Sequence, residues 1–207
     1  MKSSFLFAAV LMTGMAAVAQ SGAISGQVSG IPRAKALPGA FPPPPTPAVV
    51  YAVPLSGKAL TPIADKTYTV DQKWTQFVPG VSVVPVGATV EFTNDDTVKH
   101  DVMWKAIGND TALGRNLGVH NPDQTVSYRF TRAGAIHLQC LVHPSMSAWL
   151  YVAPTGYSTV TSTSGKYSLS NLPDGRYRVV VWHPGVATQS QIVSVTGHAK
   201  LNFNLKK

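Results

Sequence analysis

The chain reads as all-β, on three observations. Apolar residues alternate with polar ones in short runs, and Gly, Pro, Asn and Asp interrupt those runs at close intervals. No stretch beyond residue 19 carries the three-and-four spacing of a long amphipathic helix. Seventeen glycines and 16 prolines among 207 residues supply turns and breaks, which suit strand connections better than helix interiors.

Residues 1–19 stand apart from this pattern. Lys2, the apolar run Phe5 to Met15 and the small-x-small ending Ala17-Val18-Ala19 before Gln20 have the form of a cleavable export signal. The run falls short of the roughly 20 apolar residues a spanning helix needs, and no later segment reaches that length. A periplasmic location without stable membrane insertion is the expectation.

Ile24 to Val28 reads as the first strand. Residues 38–47, PGAFPPPPTP, lack the backbone donors for a sheet, so an extended surface loop is expected, read as a stiff insertion rather than a docking motif. Ala48 to Pro54 resumes as a strand. From Thr67 a second pattern begins: Phe77 to Val84, then Ala88 to Thr93 with Val90 and Phe92 on one face, then the turn cluster Asn94-Asp95-Asp96. In Val98 to Trp104 the period of two places His100 on the face of Val102 and Trp104. Residues 105–124 read as loop. Val126, Tyr128 and Phe130 alternate, Ala133-Gly134 turns, and Ile136, Leu138 and Cys140 share a face that His137 and Gln139 do not. Beyond Ala153-Pro154-Thr155-Gly156 the rhythm changes. Pro173-Asp174-Gly175 is a turn before the strand Tyr177, Val179, Val181, and Leu201, Phe203 and Leu205 close the chain.

These runs divide the chain into a leader, 1–19, then 20–60 with its proline-rich loop, 61–153, and 154–207. The last segment is small for an independent β-domain. The expectation is that 20–60 and 154–207 pair into one unit with 61–153 inserted between them.

The formal charge is +8, or +7 without Lys2, yet only 13% of residues are charged and no basic cluster exceeds Lys206-Lys207. That diffuse basicity excludes the concentrated footprint of a nucleic-acid binder. It allows long-range steering toward an acidic protein partner. Cys140 is the only cysteine, so in an exported chain it is either a free thiol or a ligand. An exposed free thiol oxidises in such a compartment, which favours the ligand.

Cys140 is followed by His143 and Met146, each three positions on, and His100 lies forty positions earlier. A thiolate, imidazoles and a thioether are the donor set of a blue-copper site, with the thioether as the weak axial member. Pro144 stiffens the loop directly after His143. Zinc favours closed Cys/His sets without methionine. A cysteine hydrolase normally draws its histidine from a remote position, and no oxyanion-type glycine loop accompanies Cys140. His120 is expected in a loop, His137 on the surface, His183 in structural packing and His198 in an ordinary turn.

The pattern G-x-x-V-x-F-x-N-x-D-x-x-x-H from Gly87 to His100, followed by C-x-x-H-P-x-M from Cys140 to Met146, resembles the cupredoxins, the loop spacing being that of the amicyanin type. The resemblance covers about residues 74–152. It implies a Greek-key β-sandwich holding one type 1 copper ion, with His100, Cys140 and His143 equatorial and Met146 axial. It also implies one-electron transfer to a redox partner protein through the edge of His143, with no bond-making catalysis. Ser164-Gly165-Lys166-Tyr167 and Leu172-Pro173-Asp174-Gly175-Arg176-Tyr177 resemble the carboxypeptidase regulatory-like, or transthyretin-like, domain, which implies a second, smaller β-sandwich. The chain departs from many cupredoxins at Asp101, where they have Asn; an ionised carboxylate cannot donate the bond by which that amide ties the two ligand loops. Two other functions fit the same residues: a copper carrier that holds Cu(I) without redox turnover, and an envelope interaction module with accessory copper.

Overall fold

A computed structural model of the chain describes residues 21–32, 46–56, 66–107 and 114–205. The leader and most of the proline-rich loop lie outside the described residues. Among those residues every regular element is a β-strand, in agreement with the alternation. No helix there is long and apolar enough to cross a membrane.

The strands form four sheets that pack as two sandwiches. In the first sandwich, β1 (Gly22–Ser29) lies between β13 (Lys166–Leu172) and β16 (His198–Lys200), with β17 (Phe203–Asn204) also pairing with β1. Its second sheet runs β12 (Ser158–Val160), β2 (Val49–Pro54), β14 (Gly175–Trp182), β15 (Gln189–Val195). Ile24, Val50, Ala52, Leu169, Val179, Val181 and Phe203 are among the buried residues that fill the space between them.

The second sandwich is built from the intervening strands. One sheet runs β4 (Gln76–Val78), β3 (Tyr68–Lys73), β6 (Thr89–Asn94), β9 (Thr125–Arg129). The other runs β5 (Val81–Pro85), β11 (Ser147–Ala153), β10 (Gly134–Gln139), β7 (His100–Ala106), β8 (Arg115–His120). Their core contains Val90, Phe92, Val102, Trp104, Ile136, Leu138 and Leu150. Aromatic packing crosses it: the Trp104 ring stands 5.9 Å from Phe92, 5.4 Å from Phe130 and 5.0 Å from Tyr128, centre to centre.

A third apolar layer joins the two sandwiches. Strand parity explains it, because successive side chains leave a strand on opposite faces. On β2, Val50 and Ala52 enter the first core while Val49 and Tyr51 face outward; β14 divides Val179 and Val181 from Val180 and Trp182 in the same way. On β11, Leu150 and Val152 enter the second core and leave Trp149 and Tyr151 on the other side. These outward residues meet. Tyr51 and Tyr151 stack at 5.3 Å with their hydroxyls 3.0 Å apart, and Trp182 packs on Tyr151 and Trp149.

Three local expectations need correction. Residues 115–120 are not loop: they form β8, antiparallel to β7, with His120 directly across from His100. Asn116 and Gly118 give this stretch little intrinsic strand preference, and pairing with β7 supplies what propensity does not. The run Phe77 to Val84 is two strands, because Pro79-Gly80 interrupts the ladder between β4 and β5. The closing strand shrinks to Phe203–Asn204, although Leu201 and Leu205 donate their N–H groups to Ser25 and Ser29 on β1.

His183 follows β14, is buried, and donates from Nε2 to the Thr46 carbonyl at 3.1 Å, so the neutral ring carries its lone pair on Nδ1. Burial lowers its pKa. Burial, then the nearby charge of Lys105, does the same for His137, which stacks on Trp149 at 4.2 Å. Below the ordinary histidine pKa of about 6.5 the unfolded chain binds protons that the folded chain refuses, so stability falls as pH drops. The thermal midpoint is therefore expected to hold between pH 8 and 7 and to decline below about 6.5. That decline should be shallower in His183→Gln.

Candidate metal centre

The loop Cys140–Met146 joins β10 to β11 at one end of the second sandwich. Met146 donates its N–H to the His143 carbonyl at 2.9 Å, and Cys140 donates to the Met146 carbonyl at 3.4 Å. These bonds fold the loop back on itself, so Cys140 and Met146 are both buried while His143 stays partly exposed. His100 opens β7, two strands away from β11 in the same sheet, and is completely buried.

Donors on the two segments converge. The Nδ1 atoms of His100 and His143 are 3.0 Å apart, with the rings tilted by 60°. The Cys140 sulfur lies 3.9 Å from the same Nδ1 of His100. One ligand atom from each of the three residues falls within 4.8 Å of the others. Bonds of about 2.0–2.3 Å to nitrogen and sulfur, at open angles, put donors about 3–4 Å apart, so one ion fits among them. The structure thus brings His100, Cys140 and His143 together. Met146 shares their loop with its side chain buried in the adjoining core.

The surroundings orient each donor. Asp96 Oδ2 lies 3.1 Å from His100 Nε2 and accepts the Thr75 N–H at 2.7 Å. The Asp96 carboxyl is held below the usual carboxylate range by the Thr75 N–H, then by His100, then by the Thr97 N–H. An ionised Asp96 only accepts, so Nε2 carries the proton and Nδ1 presents its lone pair to the centre. The Cys140 sulfur accepts two backbone N–H bonds, from Asp101 at 3.2 Å and His143 at 3.4 Å. Both bonds fix the position of the sulfur.

Asp101 also corrects a doubt raised by the sequence. Its buried carboxylate accepts from the Leu141 N–H at 3.4 Å, so the two ligand segments are tied with the carboxylate as acceptor and a backbone amide as donor. Asn94 ties the turn before His100 to β8, donating to the carbonyls of Val98 at 3.0 Å and His120 at 3.3 Å. His120 is buried, with neither ring nitrogen bonded among the described residues, and it is not one of the three converging donors. His137 is 2.6 Å from the Ser147 hydroxyl and His198 is 2.8 Å from that of Ser25, both away from the centre.

Two residues beside the centre carry roles that the sequence pattern does not state: Asp96, which it marks only as a turn and motif residue, and Gln72. Asp96 precedes His100 by four positions, a spacing that the turn between β6 and β7 converts into contact. Gln72 occupies an inward position on β3, two residues after buried Val70, where alternation predicts an apolar side chain.

Residues 147–206 match the carboxypeptidase regulatory-like domain family. The match starts at β11, which pairs with β5 and β10 in the second sandwich. No curated protein matches the chain. Among solved structures it is similar to a purple cupredoxin from Nitrosopumilus maritimus, at 21% identity over 42% of this chain and 99% of that one, TM-score 0.38. It is also similar to a reduced-state mutant of amicyanin, at 26% identity over 49% of this chain and 98% of that one, TM-score 0.38. A copper-containing nitrite reductase from Thermus scotoductus matches at 27% identity over 48% of this chain and 25% of the enzyme, TM-score 0.38. The chain is thus an all-β protein with a carboxypeptidase regulatory-like match at 147–206 and cupredoxins among its structural neighbours.

Proposed function

We propose that this protein is an exported type 1 copper protein that carries single electrons and catalyses no bond-making of its own. The observation that carries the reading is the convergence of two imidazole Nδ1 atoms, 3.0 Å apart, beside the Cys140 sulfur. His100, Cys140 and His143 would be the equatorial donors and Met146 the axial one. Thiolate, imidazole and thioether together select copper over zinc or the oxygen-seeking cations. When bound, copper supplies a one-electron couple.

The protein's part is to keep the donors still and dry. His100 and Cys140 are 0% and 2% exposed, and the bonds from Asp96, Asp101 and His143 hold their donor atoms in place. A rigid donor set changes little between oxidation states, so little reorganisation accompanies each electron. The partly exposed edge of His143, beside exposed Leu141 and Val142, is the exit we assign to the electron. The partner would be a redox protein that covers this apolar collar, steered by negative charge.

Titration with Cu(II) tests this reading. One equivalent should give an intense visible band that reduction bleaches and reoxidation restores. Tight binding of Cu(I) with no coloured Cu(II) form would favour the carrier reading, and absence of binding would overturn both. Loss of an imidazole's outer partner typically weakens metal affinity about 10–100-fold. Asp96→Ala is expected to do so here, measured by competition with a chelator of known affinity.

A further inference from the structure

We propose that Gln72 is a positioning residue for the thiolate: its side-chain amide, reaching from the facing sheet, holds the Asp101 carbonyl and, through the backbone of that residue, steadies the N–H···S bond to Cys140. Gln72 Nε2 donates to the Asp101 carbonyl at 3.1 Å, and the N–H of that same Asp101 donates to the Cys140 sulfur at 3.2 Å. All three groups are buried, Gln72 completely.

Two observations separate this from core filling. The Oε1 of Gln72 is buried with no partner among the described residues, so the amide acts through its donor alone. A methionine would fill the same space without burying an unpaired acceptor. The second is a fault in the ladder. The β7–β8 register shifts between Asp101 and Met103, with Gly118 on β8 at φ +87°. The extra residue lies on β8, opposite Val102, so regular pairing of β7 stops directly after Asp101, the residue that Gln72 holds. Asn94, the partner of Gln72 in the parallel β3–β6 ladder, reaches the same end of the facing sheet through its bonds to Val98 and His120.

An N–H bond to a thiolate withdraws charge from sulfur. A looser Asp101 backbone weakens that bond and leaves the sulfur a stronger donor, which favours the oxidised ion and lowers the midpoint potential. That consequence rests on the copper reading; the hold on Asp101 does not.

Amide exchange in the copper-free protein tests the hold directly. In the wild type, a Gln72 side-chain amide proton and the Asp101 amide should both be protected. In Gln72→Met the Asp101 amide should exchange about tenfold faster, the effect of one lost hydrogen bond on local opening. Its proton resonance should move upfield, while the amides of β14 keep their rates. Gln72→Asn, one methylene short, should behave alike and serves if the first variant does not fold. With copper, both variants should bind one ion with a shifted visible band and a lower potential. Unchanged Asp101 exchange in either folded variant, or rapid exchange of the wild-type Gln72 side-chain amide, would overturn the proposal. Faster Asp101 exchange in a protein that never colours would support the hold on Asp101 and overturn the copper reading instead.

Discussion

Cys140→Ser protein mixed with one equivalent of Cu(II) is expected to stay colourless. The visible band of such a site is charge transfer from thiolate to metal, and a serine hydroxyl, neutral at ordinary pH, offers no equivalent donor. The fold should survive the change. Cys140 is 2% exposed and accepts N–H bonds from Asp101 and His143, and a hydroxyl oxygen can accept at least one of them. The loss in stability should be about 1 kcal/mol, the scale of one altered hydrogen bond. Circular dichroism should therefore match the parent while the copper titration does not. A Cys140→Ser protein that turns blue would remove sulfur from the donor set. His100→Ala is expected to keep some affinity through Cys140 and His143 but to open the centre to water, which broadens and weakens the band.

Trp104→Ala should be the most damaging single change to the second sandwich. The ring is 1% exposed and wedged among Phe92, Tyr128 and Phe130, so its removal loses transfer energy and leaves a cavity that three rigid aromatic neighbours fill poorly. A loss of about 3–5 kcal/mol is expected. A domain of this kind has about 5–15 kcal/mol in total, so much of its margin would go. Trp104 lies four residues beyond His100 on β7, and the centre should loosen with the core. Urea denaturation followed by far-ultraviolet circular dichroism should show a lower midpoint, and bound copper should recover part of the difference, because a ligand of the folded state alone stabilises it. A midpoint within experimental error of the parent would contradict the packing described here.

The convergence of His100, Cys140 and His143 was legible because its signals are local. Alternation placed His100 with Val102 and Trp104 on the inward face, and C-x-x-H-P-x-M puts Cys140, His143 and Met146 in one loop. The all-β class followed from the same alternation. What escaped depends on partners distant in sequence. β8 has Asn116 and Gly118 where a strand former would be expected, and only its pairing with β7 makes it a strand. Gln72 and Asp101 lie 29 positions apart in sequence, and nothing local to either announces that they meet. An ionised Asp101 cannot donate, as its chemistry dictates; that Leu141 donates to it instead depends on how the two loops meet. The layer between the sandwiches was half visible. Ala48 to Pro54 is apolar on both faces, a sign of burial on both sides, but no local pattern names Trp182 and Tyr151 as what covers the outer one.

The most direct test of the converging donors is the copper-edge X-ray absorption of the loaded protein. A short bond to one sulfur and bonds to two imidazole nitrogens around a single ion are expected. A coordination sphere of nitrogen and oxygen alone, with no sulfur at bonding distance, would contradict this expectation.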